Sequence, residues 1–206
     1  MATRLHPLLT IVAGLLFLLS SQAALAGPPT EQIRETVDQV IRILTDPSLK
    51  GPAKTGERRA KLRRVIRERF DFTEMAKRSL GIHWARRTPQ EREEFVRLFW
   101  DLLERSYVDK IESYTDEKIV YVGESIDGNY ALVKSKIVTR RNLEIPLDYR
   151  LYRKGEEWLV YDIIIEDVSM VSNYRTQFNK IIRSSSYDEL VKRMRTKLEG
   201  AAVEGL

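Results

Sequence analysis

Few side chains in this sequence are of the kinds that make or break bonds. There is no cysteine, and the two histidines are His6 and His83. Thiolate nucleophiles are therefore excluded, and any Ser-His-Asp arrangement or imidazole-bearing metal site away from the N-terminus would have to be built around His83. That residue stands beside Trp84, just after a predicted helix end, where a surface or packing role is the ordinary expectation. Glu166 and Asp167 are adjacent, so on a continuing strand they point to opposite faces and make a poor carboxylate pair. Asp162, set among Tyr161, Ile163 and Ile164, is the one candidate for a pocket base, though a lone acid in such a place is usually a hydrogen-bonded structural group. Neither familiar glycine-rich phosphate loop occurs. No catalytic residue, metal ligand or cofactor is assigned.

The elements that must position any site are easier to read. Thr30 can cap a helix whose apolar stripe is Ile33, Val37, Val40, Ile41 and Leu44. A loop of prolines and glycines follows, from Asp46 to Gly56. From Glu57 to Phe70 a second helix carries Leu62, Val65, Ile66 and Phe70 on one side and seven basic residues around the rest. Guanidinium groups match phosphate and carboxylate oxygens in fork geometry, so Arg59, Arg63 and Arg67 are candidate docking residues for anionic lipid or an acidic partner; the alternative is a solvated helix face. Thr73 is a plausible next cap and Gly81 a left-handed helix end. Thr88-Pro89-Gln90-Glu91 then reads as a capping box opening a long helix. Along it Phe95, Leu98, Phe99, Leu102, Leu103, Tyr107, Ile111 and Tyr114 recur at spacings of three and four.

Beyond Ile119 the period changes to two. Ile119–Gly123, Tyr130–Thr139, Ile145–Tyr152 and Trp158–Ile165 read as four strands, with short turns at Asp127-Gly128-Asn129, Arg140-Arg141-Asn142 and Lys154-Gly155-Glu156 that imply an antiparallel meander. Pro146 cannot donate to a ladder and predicts an edge or a bulge. Two helices close the chain, the second capped by Ser186 with Glu189 three residues later. The expected class is α+β, with helices packed on one face of a curved antiparallel sheet of four or more strands.

The N-terminus decides the expected compartment. Arg4 and His6 precede an apolar run from Leu8 to Leu19, and Ala24-Leu25-Ala26 offers small residues for cleavage. Residues 1–26 read as a cleavable signal peptide, because the run falls short of the roughly 18 to 20 residues that span a bilayer. Residues 27–206 then form a single exported domain, without a cysteine for lipid anchoring or disulfides. The formal charge of +5 is mild for a chain with 32% charged residues. In the cell envelope it favours anionic lipid or acidic protein surfaces over nucleic acid as partners.

Several segments together resemble one family. They are Leu80-Gly81…Trp84, Thr88-Pro89…Arg92…Phe95, Tyr107…Tyr114, Asp148-Tyr149-Arg150-Leu151, Trp158-x-x-Tyr161-Asp162 and Val168-Ser169-x-Val171…Asn173-Tyr174-Arg175…Phe178. In order and spacing this set resembles the MlaC family of periplasmic phospholipid-binding proteins, also known as toluene-tolerance or ABC-transporter auxiliary proteins. The resemblance implies an NTF2-like core with extra N- and C-terminal helices, and a phospholipid carrier that is not an enzyme. It also implies two partners, an outer-membrane lipoprotein complex and an inner-membrane ABC transporter with an MCE-domain subunit. A monomer is expected.

A carrier of that kind needs a continuous apolar lining and a polar mouth, since each buried methylene is worth about 0.8 kcal/mol against water. The candidate lining is Phe95, Phe99, Leu103 and Tyr107 facing Tyr149 and Leu151, joined by Val171 and Tyr174. Arg92 is placed to meet a head-group phosphate. The same residues could simply fill a core. Two other readings stay open: an exported NTF2-like isomerase or dehydratase using Asp162, and a basic adaptor that encloses no ligand.

Overall fold

The structure is a computed structural model that describes residues 27–200; the predicted signal peptide lies outside the described residues. Helix α1 (Pro28–Thr45) starts one residue after Gly27, with proline in its first turn. The cap expected at Thr30 falls inside that turn. Its N–H and hydroxyl donate instead to the Glu124 carboxylate, at 2.7 and 2.6 Å, so an acid from a distant strand caps the helix. Gly27 approaches so closely that a Cβ there would collide with the same carboxylate.

Helix α2 (Thr55–Arg69) leads through a short extended step to α3 (Phe72–Leu80). Asp71, not Thr73, caps α3, accepting from the Glu74 N–H at 2.9 Å. Gly81, at φ +56°, ends it in a conformation that only glycine adopts without strain. The capping box forms as expected at the start of α4 (Pro89–Glu112): Glu91 N–H donates to Thr88 Oγ1 at 3.2 Å, and Thr88 N–H to Glu91 Oε2 at 2.7 Å.

The meander is β1 (Lys118–Asp127), β2 (Tyr130–Val138), β3 (Glu144–Lys154) and β4 (Glu157–Ile165), all antiparallel neighbours. A two-residue fifth strand, β5 (Val168–Ser169), pairs with the end of β4. Sequence periodicity passes over so short a strand. Glu166 and Asp167 adopt φ +48° and +65° and make the turn between them, so they are not strand residues with opposed side chains. β3 is a central strand, but β4 pairs with it only from Leu147 onward, so Pro146 has a ladder partner on the β2 side alone and stands at the local edge that its missing N–H predicts. Helices α5 (Met170–Ser184) and α6 (Tyr187–Leu198) close the fold, and Ser186 caps α6 as expected.

The interior is organised as two clusters. One sheet face carries Ala131, Val133, Tyr149, Leu151, Trp158 and Val160, buried together with Ile33 of α1. The other cluster joins α3, α4, α5 and α6 around Phe95, Phe99 and Phe178. Phe70 and Ile163 pack on both. The result is the expected α+β arrangement, with a five-stranded antiparallel sheet packed against helices. Among the described residues no helix is long and apolar enough to cross a membrane.

Candidate functional site

The residues singled out as a lining do not share one surface. Phe95, Phe99, Leu103, Val171 and Tyr174 belong to the helical cluster, with Tyr107 half-buried at its margin. Tyr149 and Leu151 belong to the sheet cluster. The expectation that the α4 stripe faces these two strand residues directly is therefore corrected. Helix α4 packs chiefly on α3 and α6, which fill the space beside it. Phe95 and Phe99 are fully buried among rings, Phe178 lying edge-on to them at 5.7 and 6.0 Å and Tyr174 edge-on to Phe99 at 5.4 Å. These are packed-core contacts.

Apolar surface that neither cluster absorbs lies elsewhere. On α1, Ile33 is buried against the sheet, but Val37, Val40, Ile41 and Leu44, on the same helical face, are only half-buried. On the sheet face beneath, register aligns Ile119 with Ile137 and Ile145, and Tyr121 with Ser135; Leu147 and Ile165 pair in the neighbouring strands. Apart from buried Ser135, these too are half-buried. Tyr107, Val108 and Ile111, in the last turns of α4, have the same intermediate exposure. The α1 stripe is legible in the sequence as one apolar face, whereas Tyr121, Leu147 and Ile165 are not among the candidate lining residues. The alternation Ile119, Tyr121 was the available signal.

Burial governs the phenols here. It pushes the Tyr107 hydroxyl above its ordinary value. Tyr149 is driven up further, by burial first and then by the neighbouring Tyr121 and Asp148. Tyr121 is also raised by burial, and its hydroxyl is enclosed without a hydrogen-bond partner among the described residues.

The basic helix is largely engaged within the molecule. Arg58 donates to Glu112 at 2.7 Å and to the Leu49 carbonyl at 2.8 Å. Arg59 reaches Glu112 and Asp109, each at 2.7 Å, and Arg63 reaches Glu104 at 2.5 Å. The Arg67 guanidinium lies 4.5 Å from the Trp100 ring centroid. The row thus runs antiparallel to α4 as a ladder of side-chain contacts, and two of the three candidate docking arginines are spent on α4 carboxylates. Glu104, Asp109 and Glu112 were passed over in sequence because nothing local pairs them with α2. Burial alone would raise the Glu112 carboxyl; hydrogen bonds and charge from Arg59 and Arg58 more than offset this and hold it below the usual range.

Arg92 is likewise occupied. It donates to the carbonyls of Trp84 and Ala85 at 3.3 and 3.4 Å and lies over the Trp84 ring. It is fifteen residues, about 22 Å along the helix, from Tyr107. His83 Nε2 meets Asn179 Oδ1 at 2.9 Å, a packing role. Asp162, 2% exposed, accepts from Ser169 Oγ at 2.6 Å, the Val171 N–H at 3.0 Å and Arg150 at 3.1 Å. It ties β4 to the start of α5 and has no sign of a reacting position. No group of three or more metal-ligating side chains occurs among the described residues. An open groove of about 540 Å³ beside Phe72 and Trp100, and another of about 480 Å³ beside Tyr187, contain none of the candidate lining residues.

Fold and site define a class, an α+β protein with a helix-covered sheet face and apolar surface that is only half-buried. The sequence pattern of the family described as MlaC protein matches residues 34–196. The chain belongs to the MlaC family. It is 28% identical over 120 residues to the intermembrane phospholipid transport system binding protein MlaC of Haemophilus influenzae, the alignment covering 56% of each chain. To the toluene tolerance protein ttg2D of Pseudomonas putida it is 24% identical over 129 residues, covering 62% of this chain and 60% of that one. The alignments thus span under two thirds of both relatives. In structure it is similar to a phospholipid-binding protein from Ralstonia solanacearum, solved in complex with a phospholipid. The TM-score is 0.72 at 23% identity, covering 83% of this chain and 97% of that one.

Proposed function

We propose that the protein is an exported phospholipid carrier, the periplasmic component of an ABC-transporter system that shuttles lipid between the outer and inner membranes. Its partners are an outer-membrane lipoprotein complex and an inner-membrane transporter with an MCE-domain subunit. One structural observation carries the reading: the α1 stripe Val37, Val40, Ile41 and Leu44 and the sheet residues Ile119, Tyr121, Ile137, Ile145 and Leu147 remain half-buried. A chain that buries Ile33, Val133 and Leu151 almost completely has the means to bury these as well. Acyl chains inserted between the two surfaces gain the transfer free energy that the protein's own side chains leave unclaimed. Family membership and the relatives' names support the same reading.

The lining is assigned to that surface together with half-buried Tyr107, with Tyr149 and Leu151 of the sheet cluster behind it. Docking falls to the exposed side of α2, where Arg64 and Arg67 remain turned to solvent. The test is solvent extraction of the purified chain followed by lipid mass spectrometry. About one phospholipid per molecule is expected, with exchange into vesicles; a chain that purifies empty and extracts no lipid from vesicles would end this reading.

A further inference from the structure

The Tyr121 hydroxyl is a buried polar group that no described residue satisfies. The residue stands on β1, on the covered face of the sheet, paired in register with Ser135 and packed against the cluster that includes Ile33, Val133 and Tyr149. Its hydroxyl is shielded from solvent and meets no hydrogen-bond partner among the described residues. Among the described residues the polar neighbours are otherwise placed: Ser135 Oγ donates to the Leu147 carbonyl, the Arg34 guanidinium lies over the Tyr121 ring, 5.1 Å from its centroid, and Glu31, Asp38 and Tyr149, close enough to act on the phenol electrostatically, make no hydrogen bond to it. A phenylalanine would fill the same space without desolvating a hydroxyl, so a tyrosine here is explained by a partner that arrives from outside the chain. Val37 and Leu147, part of the half-buried apolar surface, pack against the same cluster as Tyr121. A ligand filling that surface would therefore need one hydrogen-bond acceptor amid apolar chains.

Resting on the phospholipid reading, we propose that Tyr121 is a specificity residue that donates a hydrogen bond to an acyl-ester carbonyl of the bound lipid. The ester is the acceptor that lies where glycerol meets acyl chain, and a neutral phenol donates to it without charge burial. Tyr121 would then favour ester-linked lipids over chains of equal length that lack the carbonyl, whatever the head group.

The experiment compares a short-chain diacyl phosphatidylethanolamine with its dialkyl ether analogue, titrated calorimetrically into delipidated parent protein and Tyr121→Phe. The parent should bind the diacyl form about threefold to tenfold more tightly, the worth of one neutral hydrogen bond. The variant should bind both alike while unfolding at or above the parent's temperature. If parent and variant show the same ester-to-ether ratio, the anchor is refuted and the carrier reading stands. If neither protein binds either lipid, the carrier reading fails and the anchor with it.

Discussion

A carboxylate at 2% exposure persists only when partners reach it from several elements, and Asp162 collects them from β3, β5 and α5. Removing it would leave the Val171 N–H unsatisfied and free the turn that launches α5. Asp162→Ala is expected to cost about 3 kcal/mol of stability in thermal or denaturant unfolding, with no loss of lipid content per folded molecule. On α4 the residue-scale contrast is between Phe99, enclosed by rings, and Tyr107, half-buried at the end of the stripe. Phe99→Trp adds volume to a closed cluster and should destabilise by about 1–3 kcal/mol. Tyr107→Glu should cost less and reduce co-purifying phospholipid. Unfolding measured alongside lipid content separates the two, and the reverse pattern would move the lining to Phe99.

Between elements, α2 and α4 are joined by charge more than by apolar packing. Arg58 and Arg59 converge on Glu112, while Arg63 meets Glu104 at a more exposed position. The Glu112 carboxyl is held below its ordinary value of 4.5, so its contribution to stability is complete above that pH and fades as pH falls through the lower folded value. Unfolding temperature should therefore drop on acidification through that range, and Glu112→Gln should flatten this part of the profile while lowering stability at neutral pH. Reversing Arg59, Arg63 and Arg67 together to Glu sets like charges against Glu104, Asp109 and Glu112. That variant should unfold at lower temperature as well as exchange lipid more slowly, which makes it a poor probe of docking alone.

At the scale of the whole molecule, phenols report on enclosure. Tyr121 and Tyr149 are raised well above 10.0 by burial first, and Tyr187 is pushed up to about 12, again mainly by burial. A folded value above the unfolded one means that the neutral phenols contribute stability in full below about pH 10, and lose it as pH rises through the folded values. An alkaline titration should show the exposed tyrosines ionising first. The enclosed ones should follow in a steeper step coincident with loss of circular dichroism. Smooth ionisation of all nine tyrosines with the fold intact would mean that the sheet face is open to water.

Sequence alone determined what depends on neighbours within a few residues. The Thr88–Glu91 capping box, the glycine end of α3, the turns of the meander and the Ser186 cap are set by contacts that close within one turn of chain. Ordered motifs along the chain also carried the family. Tertiary structure decided what depends on which surfaces meet. Thr30 surrendered its cap role to Glu124, the α2 arginines found acids some forty to fifty residues away, and the aromatic stripe turned toward α5 and α6 instead of Tyr149 and Leu151. Periodicity marks a face as apolar without saying what will cover it. The partner of a buried face, or the want of one at Tyr121, is fixed only by how helices and sheet stack.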